Sequence, residues 1–168
     1  VNENNIDNAA TCIYSKLVVV LGMHRSGTSV ITKALECVGV ELGNNLMEAA
    51  IGDNDLGFFE DLEIVDFNDQ LLAECNKNWY SSEIIQNYDV ENLIRRGYLI
   101  RAVEMMRRKL NNKKCFGYKD PRTAKLLPFW SKVYEAANFD TYFILALRNP
   151  LNVIRSLQQR DGIECEHA

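Results

Sequence analysis

Lys16-Leu-Val-Val-Val-Leu-Gly22-Met-His-Arg-Ser-Gly27-Thr28-Ser29 is the stretch that decides the fold. From Leu17 to Leu21 it is an unbroken apolar run of strand length, rich in valine. A run without polar alternation suits a strand covered on both faces, the situation in a parallel sheet. Beyond the glycine-bounded turn, Val30, Ile31, Ala34, Leu35 and Val38 recur at helical spacing, so Thr28 to Val38 is predicted as a helix with Gly39 at C′. Strand, turn and helix in this order suit an anion. Gly22 and Gly27 let the backbone turn tightly, and successive N–H groups then face the ligand at the positive end of the helix dipole. Arg25 and the hydroxyls of Ser26, Thr28 and Ser29 add donors, and His24 lies inside the loop as a loop-shaping or phosphate-side residue.

The spacing is that of the P-loop, GxxxxGK[ST], with Thr28 where the lysine is expected. A P-loop kinase or ATPase uses that ammonium on the β- and γ-phosphates, with a magnesium ion held partly by an aspartate of a second strand. Here the later apolar strand candidate, Thr141 to Leu147, ends in Arg148. The loop therefore suits a single 5′-phosphate or a sulfate-bearing group better than a triphosphate. A glycine-containing turn with incidental hydroxyls is the plainer alternative.

Outward from this unit the chain reads as one domain of 168 residues, with a loose polar arm over 1–15, the domain over 16–162 and a tail over 163–168. Glu41 to Phe59, broken by Gly43, Gly52 and Gly57, reads as an irregular connection. Asp61 to Asn76 is an amphipathic helix, and Glu91 to Leu110 is a second long helix carrying five arginines. Lys114 to Lys119 then reads as strand, Thr123 to Ala136 as helix, Thr141 to Leu147 as strand and Pro150 to Arg160 as helix. Asn149 is placed to be the N-cap of the last helix, with Pro150 at its first position. The alternation predicts an α/β fold, a three-layer parallel sheet flanked by helices.

Composition bounds the function. Hydrophobic residues at 47% and charged residues at 25% are ordinary for a globular domain. No apolar stretch is long enough to span a membrane, and a net charge of −4 argues against a nucleic-acid partner. The charge is split, with 4 Lys/Arg against 14 Asp/Glu in residues 1–84 and 15 against 9 in residues 85–168. Five widely spaced cysteines without a CxxC pair favour a reducing compartment, hence a cytoplasmic protein. With only two histidines, no metal site is expected.

The second informative stretch is Arg148-Asn-Pro-Leu-Asn-Val-Ile-Arg-Ser156-Leu-Gln-Gln-Arg160. Arg148 follows a strand at the end where open α/β sheets bind ligands, and Ser156 and Arg160 share a helix face. Together they could hold a second phosphate at a fixed distance from the first, although surface arginines with an incidental serine would look the same.

Taken together, the two stretches resemble the sulfotransferases that use 3′-phosphoadenosine 5′-phosphosulfate (PAPS), the cytosolic-type and bacterial enzymes. In that family the first strand-loop-helix binds the 5′-phosphosulfate, and Arg25, Ser26, Gly27, Thr28 and Ser29 match that motif. A later Arg-(Asn/Asp)-Pro-x-x-x-x-x-Ser binds the 3′-phosphate, and Arg148 and Ser156 match it. Gly57-Phe-Phe-Glu60, Lys119-Asp-Pro-Arg122 and Leu127-Pro-Phe-Trp130 look like the bacterial branch. The resemblance covers about Lys16 to Gly162 and implies a P-loop NTPase-like sulfotransferase fold. It further implies PAPS as cofactor, with 3′-phosphoadenosine 5′-phosphate as product, and a small-molecule, carbohydrate or peptide acceptor. Family members continue well past the 3′-phosphate helix, so a domain incomplete at its C-terminus is expected. A P-loop nucleotide or small-molecule kinase and a non-catalytic anion-binding fragment are the alternatives.

Sulfuryl transfer needs an in-line acceptor, a base for its proton and cations for charge on the bridging oxygen. Arg25 and Lys119 are the cationic candidates. Glu60 is the candidate base, because two preceding phenylalanines could desolvate it. The alternatives are a solvated strand-end lysine and one more acid in a carboxylate-rich segment. Arg122 is a cofactor contact or a buttress of Lys119, Asp120 a structural acceptor, and Trp79 a loop residue able to stack on a ligand.

Overall fold

The computed structural model describes residues 16–50, 54, 56–81 and 83–161; the expected arm over 1–15 and tail over 163–168 lie outside them. Within these residues the chain is a mixed α/β fold of three strands and seven helices. Strand β1 (Lys16–Leu21) is the middle of a parallel sheet of order β2-β1-β3, between β2 (Cys115–Lys119) and β3 (Asp140–Leu145). Both faces of β1 are buried, as its uninterrupted apolar sequence requires. Leu17, Val19 and Leu21 enter the main core with Phe116 and Tyr118 of β2. On the other face Val18 and Val20 are buried, and Val40 lies so close to Gly117 that a Cβ there would sit 2.6 Å from its Cγ1.

The helix after the glycine turn, α1 (Thr28–Cys37), ends as expected with Gly39 at φ 90°, its N–H bonded to the Glu36 carbonyl at 3.1 Å. Its facing differs from the expected one. Thr28 and Thr32 are buried, whereas Val30 and Val38 are 68% and 77% exposed. The Thr32 hydroxyl donates to the Thr28 carbonyl at 2.8 Å, so this face buries a hydroxyl without leaving it unpaired.

The main core is built by α2 (Leu62–Glu74), α3 (Asn87–Arg95), α4 (Tyr98–Leu110) and α6 (Leu127–Ala137) around Trp130. The single helix expected over Glu91 to Leu110 is two helices, because Gly97 adopts φ 84° between them. The helix expected from Thr123 is also divided, into α5 (Arg122–Lys125) and α6, with Pro128 in the first turn of α6. The last helix, α7 (Pro150–Asp161), has Asn149 accepting from the Leu151 N–H at 2.9 Å, as a cap does.

Strand β3 departs from its sequence pattern. Its apolar residues read as covered, yet Tyr142, Phe143 and Leu145 are exposed, and among the described residues β3 pairs only with β1. The outer edge of β2, by contrast, is met by Glu41, whose N–H donates to Cys115 at 3.0 Å and whose carbonyl accepts from Gly117 at 2.8 Å.

The charge split between the two halves resolves into contacts. The acids flanking and opening α2 meet cations of α4 and its entry: Asp61 with Lys109, Glu63 with Arg108 and Lys109, Glu74 with Arg96. The arginines of the long basic segment thus cover the acidic helix next to them. Among these acids Asp61 alone is buried; it caps α2 by accepting from Glu63 N and Ile64 N, and its carboxylate takes Lys109 Nζ at 2.7 and 2.8 Å. Gly43 leaves room for it, since a Cβ there would fall 1.9 Å from Asp61 Oδ2. Losing a cap and a largely buried ionic partner together should make Asp61→Ala cost about 2–5 kcal/mol. Glu63→Ala, on an exposed pair, should cost under about 1 kcal/mol. Urea unfolding of the two variants checks the ranking.

Candidate functional site

All three strands are parallel, so Gly22, Lys119 and the β3–α7 connection come to one edge of the sheet, at their C-terminal ends. The chain moves from β1 to β2 on one side and later to β3 on the other. That reversal of strand order is where open α/β sheets leave a crevice. A cavity of about 270 Å³ lies there, lined by His24, Arg25 and Gly27 to Val30 of the loop and by Asn54, Phe58, Glu60, Lys119, Arg148 and Arg160 among others; Ser26 is not in the lining.

The loop takes the shape its glycines permit. Gly27 has φ 87° and is the N-cap of α1, where no side chain caps the helix. Gly22 is needed for closeness: a Cβ there would lie 2.8 Å from Thr28 Cγ2 and 3.0 Å from the Ala146 carbonyl oxygen. Ser26 N–H donates to Met23 O at 3.2 Å, and Arg25 holds φ 65°, a left-handed conformation uncommon for a long side chain. Thr28, in the position of the P-loop lysine, is buried against Gly22.

The second stretch meets this loop directly. Arg25 Nε donates to Ser156 Oγ at 2.8 Å, and Arg148 donates back to the Arg25 carbonyl at 2.7 Å. Arg148 and Arg160 line the same cavity as the loop. Residues more than a hundred positions apart therefore form one cationic recess.

Lys119 and Glu60 form its floor. Lys119 ends β2 and is only 2% exposed; Glu60 precedes the α2 cap and is 5% exposed. Their charged atoms lie 2.6 Å apart. Neither is the solvated side chain that its sequence context also allowed. Burial raises the Glu60 carboxyl above its usual range and lowers the Lys119 ammonium, each drawn partly back by the other's charge. Glu60 reaches this position through Phe59, which holds φ 55°. Arg122 lies between acids: its guanidinium is 2.9 Å from Asp120, 3.7 Å from Glu60 and 2.7 Å from Asp69, the last at an angle short of a hydrogen bond. It buttresses the pair.

Asp120 accepts from the Arg122 N–H at 3.0 Å and from Asn68 at 2.8 Å. Asn68, fully buried, also accepts from Trp130 Nε1 at 2.8 Å, and so joins the end of β2 to the core. Nothing in the sequence distinguishes Asn68 from the other asparagines. Asn54 and Phe58 are likewise additions to the recess, whereas Arg160 lines it as its place on the helix face beside Ser156 suggested.

His24 lies at the other end, its ring 5.4 Å from that of Trp79 and edge-on to it. The Trp79 loop is fastened by Lys125, which donates to the carbonyls of Trp79 and Ser81. Burial, and then the charges of Arg122, Arg160, Lys119 and Lys125, depress the imidazole to about 3. Among the described residues no group of three or more His, Cys, Asp or Glu is placed to hold a metal ion. No helix there is long and apolar enough to cross a membrane.

Comparison of the chain with family profiles, curated proteins and solved structures returns no match.

The depressed His24 has a readable consequence. Between pH 6.5 and about 3 the unfolded chain takes up a proton at this residue and the folded one does not. Stability contributed here therefore falls as pH drops through that window and is fully present above it. His24→Asn should reduce the loss of stability between pH 7 and pH 4 relative to wild type. Urea midpoints at several pH values measure it, and parallel curves would mean that the imidazole protonates in the folded state.

Proposed function

We propose that this domain binds PAPS and transfers its sulfuryl group to the hydroxyl or amine of an acceptor. The observation that carries the reading is the buried Lys119–Glu60 pair opening onto the cavity of the phosphate loop, with Arg25, Arg148 and Arg160 around the same space. The loop's backbone N–H groups and Arg25 suit a 5′-phosphosulfate, and Arg148 with Ser156 suits the 3′-phosphate. The fold reading that accompanies it is a three-layer, P-loop-like sulfotransferase domain, supported by the central position of β1 and the strand-loop-helix unit that follows it. A cytoplasmic setting is supported by the free thiols of Cys37, Cys75 and Cys115.

The chemistry follows from the charges. Acceptor oxygen or nitrogen attacks sulfur as the bond from sulfur to the bridging phosphate oxygen breaks, and negative charge grows on the bisphosphate leaving group. Lys119 and Arg25 would stabilise that charge, their positive groups facing the cavity that holds the donor. Glu60 takes the acceptor proton, and the burial that raises its affinity for protons suits it to act as a base. The acceptor is a small molecule, a carbohydrate or a peptide.

A triphosphate site is less well supported, since Thr28 replaces the P-loop lysine and Arg148 stands where a magnesium-binding aspartate would be needed. Thermal shift separates the two: 3′-phosphoadenosine 5′-phosphate should raise the melting temperature and ATP with magnesium should not. Arg148→Ala should weaken the bisphosphate by about 1.5–3 kcal/mol, the scale of hydrogen bonds to charged groups. Glu60→Gln should lower sulfate transfer from labelled PAPS at saturating donor while leaving bisphosphate affinity near wild type. Equal stabilisation by ATP with magnesium would favour a nucleotide kinase, and wild-type turnover by Glu60→Gln would remove Glu60 as the base.

A further inference from the structure

Ser29 occupies the last position of the phosphate-loop motif, where a hydroxyl is expected to face the ligand. Its surroundings point elsewhere. A serine hydroxyl has one hydrogen to donate and two lone pairs to accept with. Lys119 Nζ donates to Ser29 Oγ at 3.3 Å, and Asn54 Nδ2 donates to it at 3.2 Å. Ser29 Oγ in turn donates to the Phe58 carbonyl at 3.3 Å. The hydroxyl's capacity is thus fully used within the protein.

The three partners have one thing in common. Asn54 and Phe58 precede Glu60 in the connection that brings it to the cavity floor, and Lys119 is the partner of Glu60 there. An ammonium has three N–H bonds. One goes to Glu60 and one to Ser29, which leaves a single donor for a ligand in the cavity that Lys119 lines. Ser29 is therefore a fixed point for both: it sets the direction of the remaining Lys119 donor and ties the Glu60 segment to the start of α1.

We infer that Ser29 is a positioning residue for Lys119 and the Glu60 segment, and does not bind the donor's phosphates. The inference rests on the sulfotransferase reading above only in naming the donor. Its effect on Lys119 is a property of the protein alone.

The test has two arms on the same variants. Lys119 reactivity is measured by acetylation with an N-hydroxysuccinimide ester read by mass spectrometry, with exposed Lys132 of α6 as internal control. Affinity for 3′-phosphoadenosine 5′-phosphate is measured by calorimetry. Ser29→Ala should raise Lys119 acetylation about fivefold or more relative to Lys132, as expected for loss of one hydrogen bond, and change bisphosphate affinity by less than about threefold. Ser29→Cys fills the space with a slightly larger sulfur while weakening the bonds and should behave alike, which covers a failure of the alanine variant to fold. Ser29→Thr retains the hydroxyl and should acetylate like wild type. A loss of about tenfold or more in bisphosphate affinity in the alanine or cysteine variant would overturn the inference, because Ser29 would then be a phosphate ligand. Unchanged Lys119 acetylation in those variants, or a threonine variant as reactive as alanine, would overturn it as well. Failure of the wild type to bind the bisphosphate would instead count against the proposed function, and the acetylation arm would still decide the role of Ser29.

Discussion

An ammonium and a carboxylate, both nearly out of water and 2.6 Å apart, hold this structure's working edge together. Lys119 belongs to the sheet and Glu60 to a long irregular connection, so their contact docks that connection onto the fold. Burying either charge alone would be costly, and removing one partner leaves the other stranded. Much of the surrounding layout follows from satisfying them. Arg122 stands between Asp120, Asp69 and Glu60 as a counter-charge, and Asn68 fastens Asp120 to Trp130 in the core. The glycine loop reaches the pair through Ser29, and α7 reaches the loop through Ser156 and Arg25. Polar contacts joined by the loop backbone between Arg25 and Ser29 therefore run from the core to α7.

The two halves of the chain are bound by charge as well. Asp61, Glu63 and Glu74 of α2 and its cap pair with Arg96, Arg108 and Lys109 of α4 and its entry, so part of the charge split is met within the fold. Most of these pairs are exposed and individually weak. Asp61 differs because it is buried, caps a helix and sits in a space that only a glycine at position 43 leaves open.

What could be read from the sequence was whatever local chemistry determines. The β1 run, the glycine loop, the Asn149-Pro150 helix start and the Gly39 helix end need only their neighbours, and they form where expected. The facing of α1 was not legible, because apolar spacing favoured Val30 and Val38 while the hydroxyl of Thr32 satisfies itself on the preceding turn. Gly97 was ambiguous by nature: a glycine in a helical pattern is either tolerated or ends the helix, and tertiary packing decides. In the site, Arg25, Arg148 and Ser156 could be named from motifs. Asn68 and Asn54 could not, since an asparagine's role depends on which distant groups reach it. Strand β3 marks the same boundary, its residues reading as covered and its surroundings leaving them open.

Five described non-glycine residues have positive φ, and three are asparagines, which tolerate it. The other two are Arg25 and Phe59, one in the phosphate loop and one beside Glu60. Each such conformation costs on the order of 1–3 kcal/mol in a domain whose whole stability is about 5–15 kcal/mol. A sequence optimised for stability alone would carry glycine or asparagine at both positions. Engineering this chain for heat resistance by that obvious route would reach the recess first. At position 25 it would exchange a pocket guanidinium for stability, and at position 59 it would remove the side chain that accompanies the turn into Glu60.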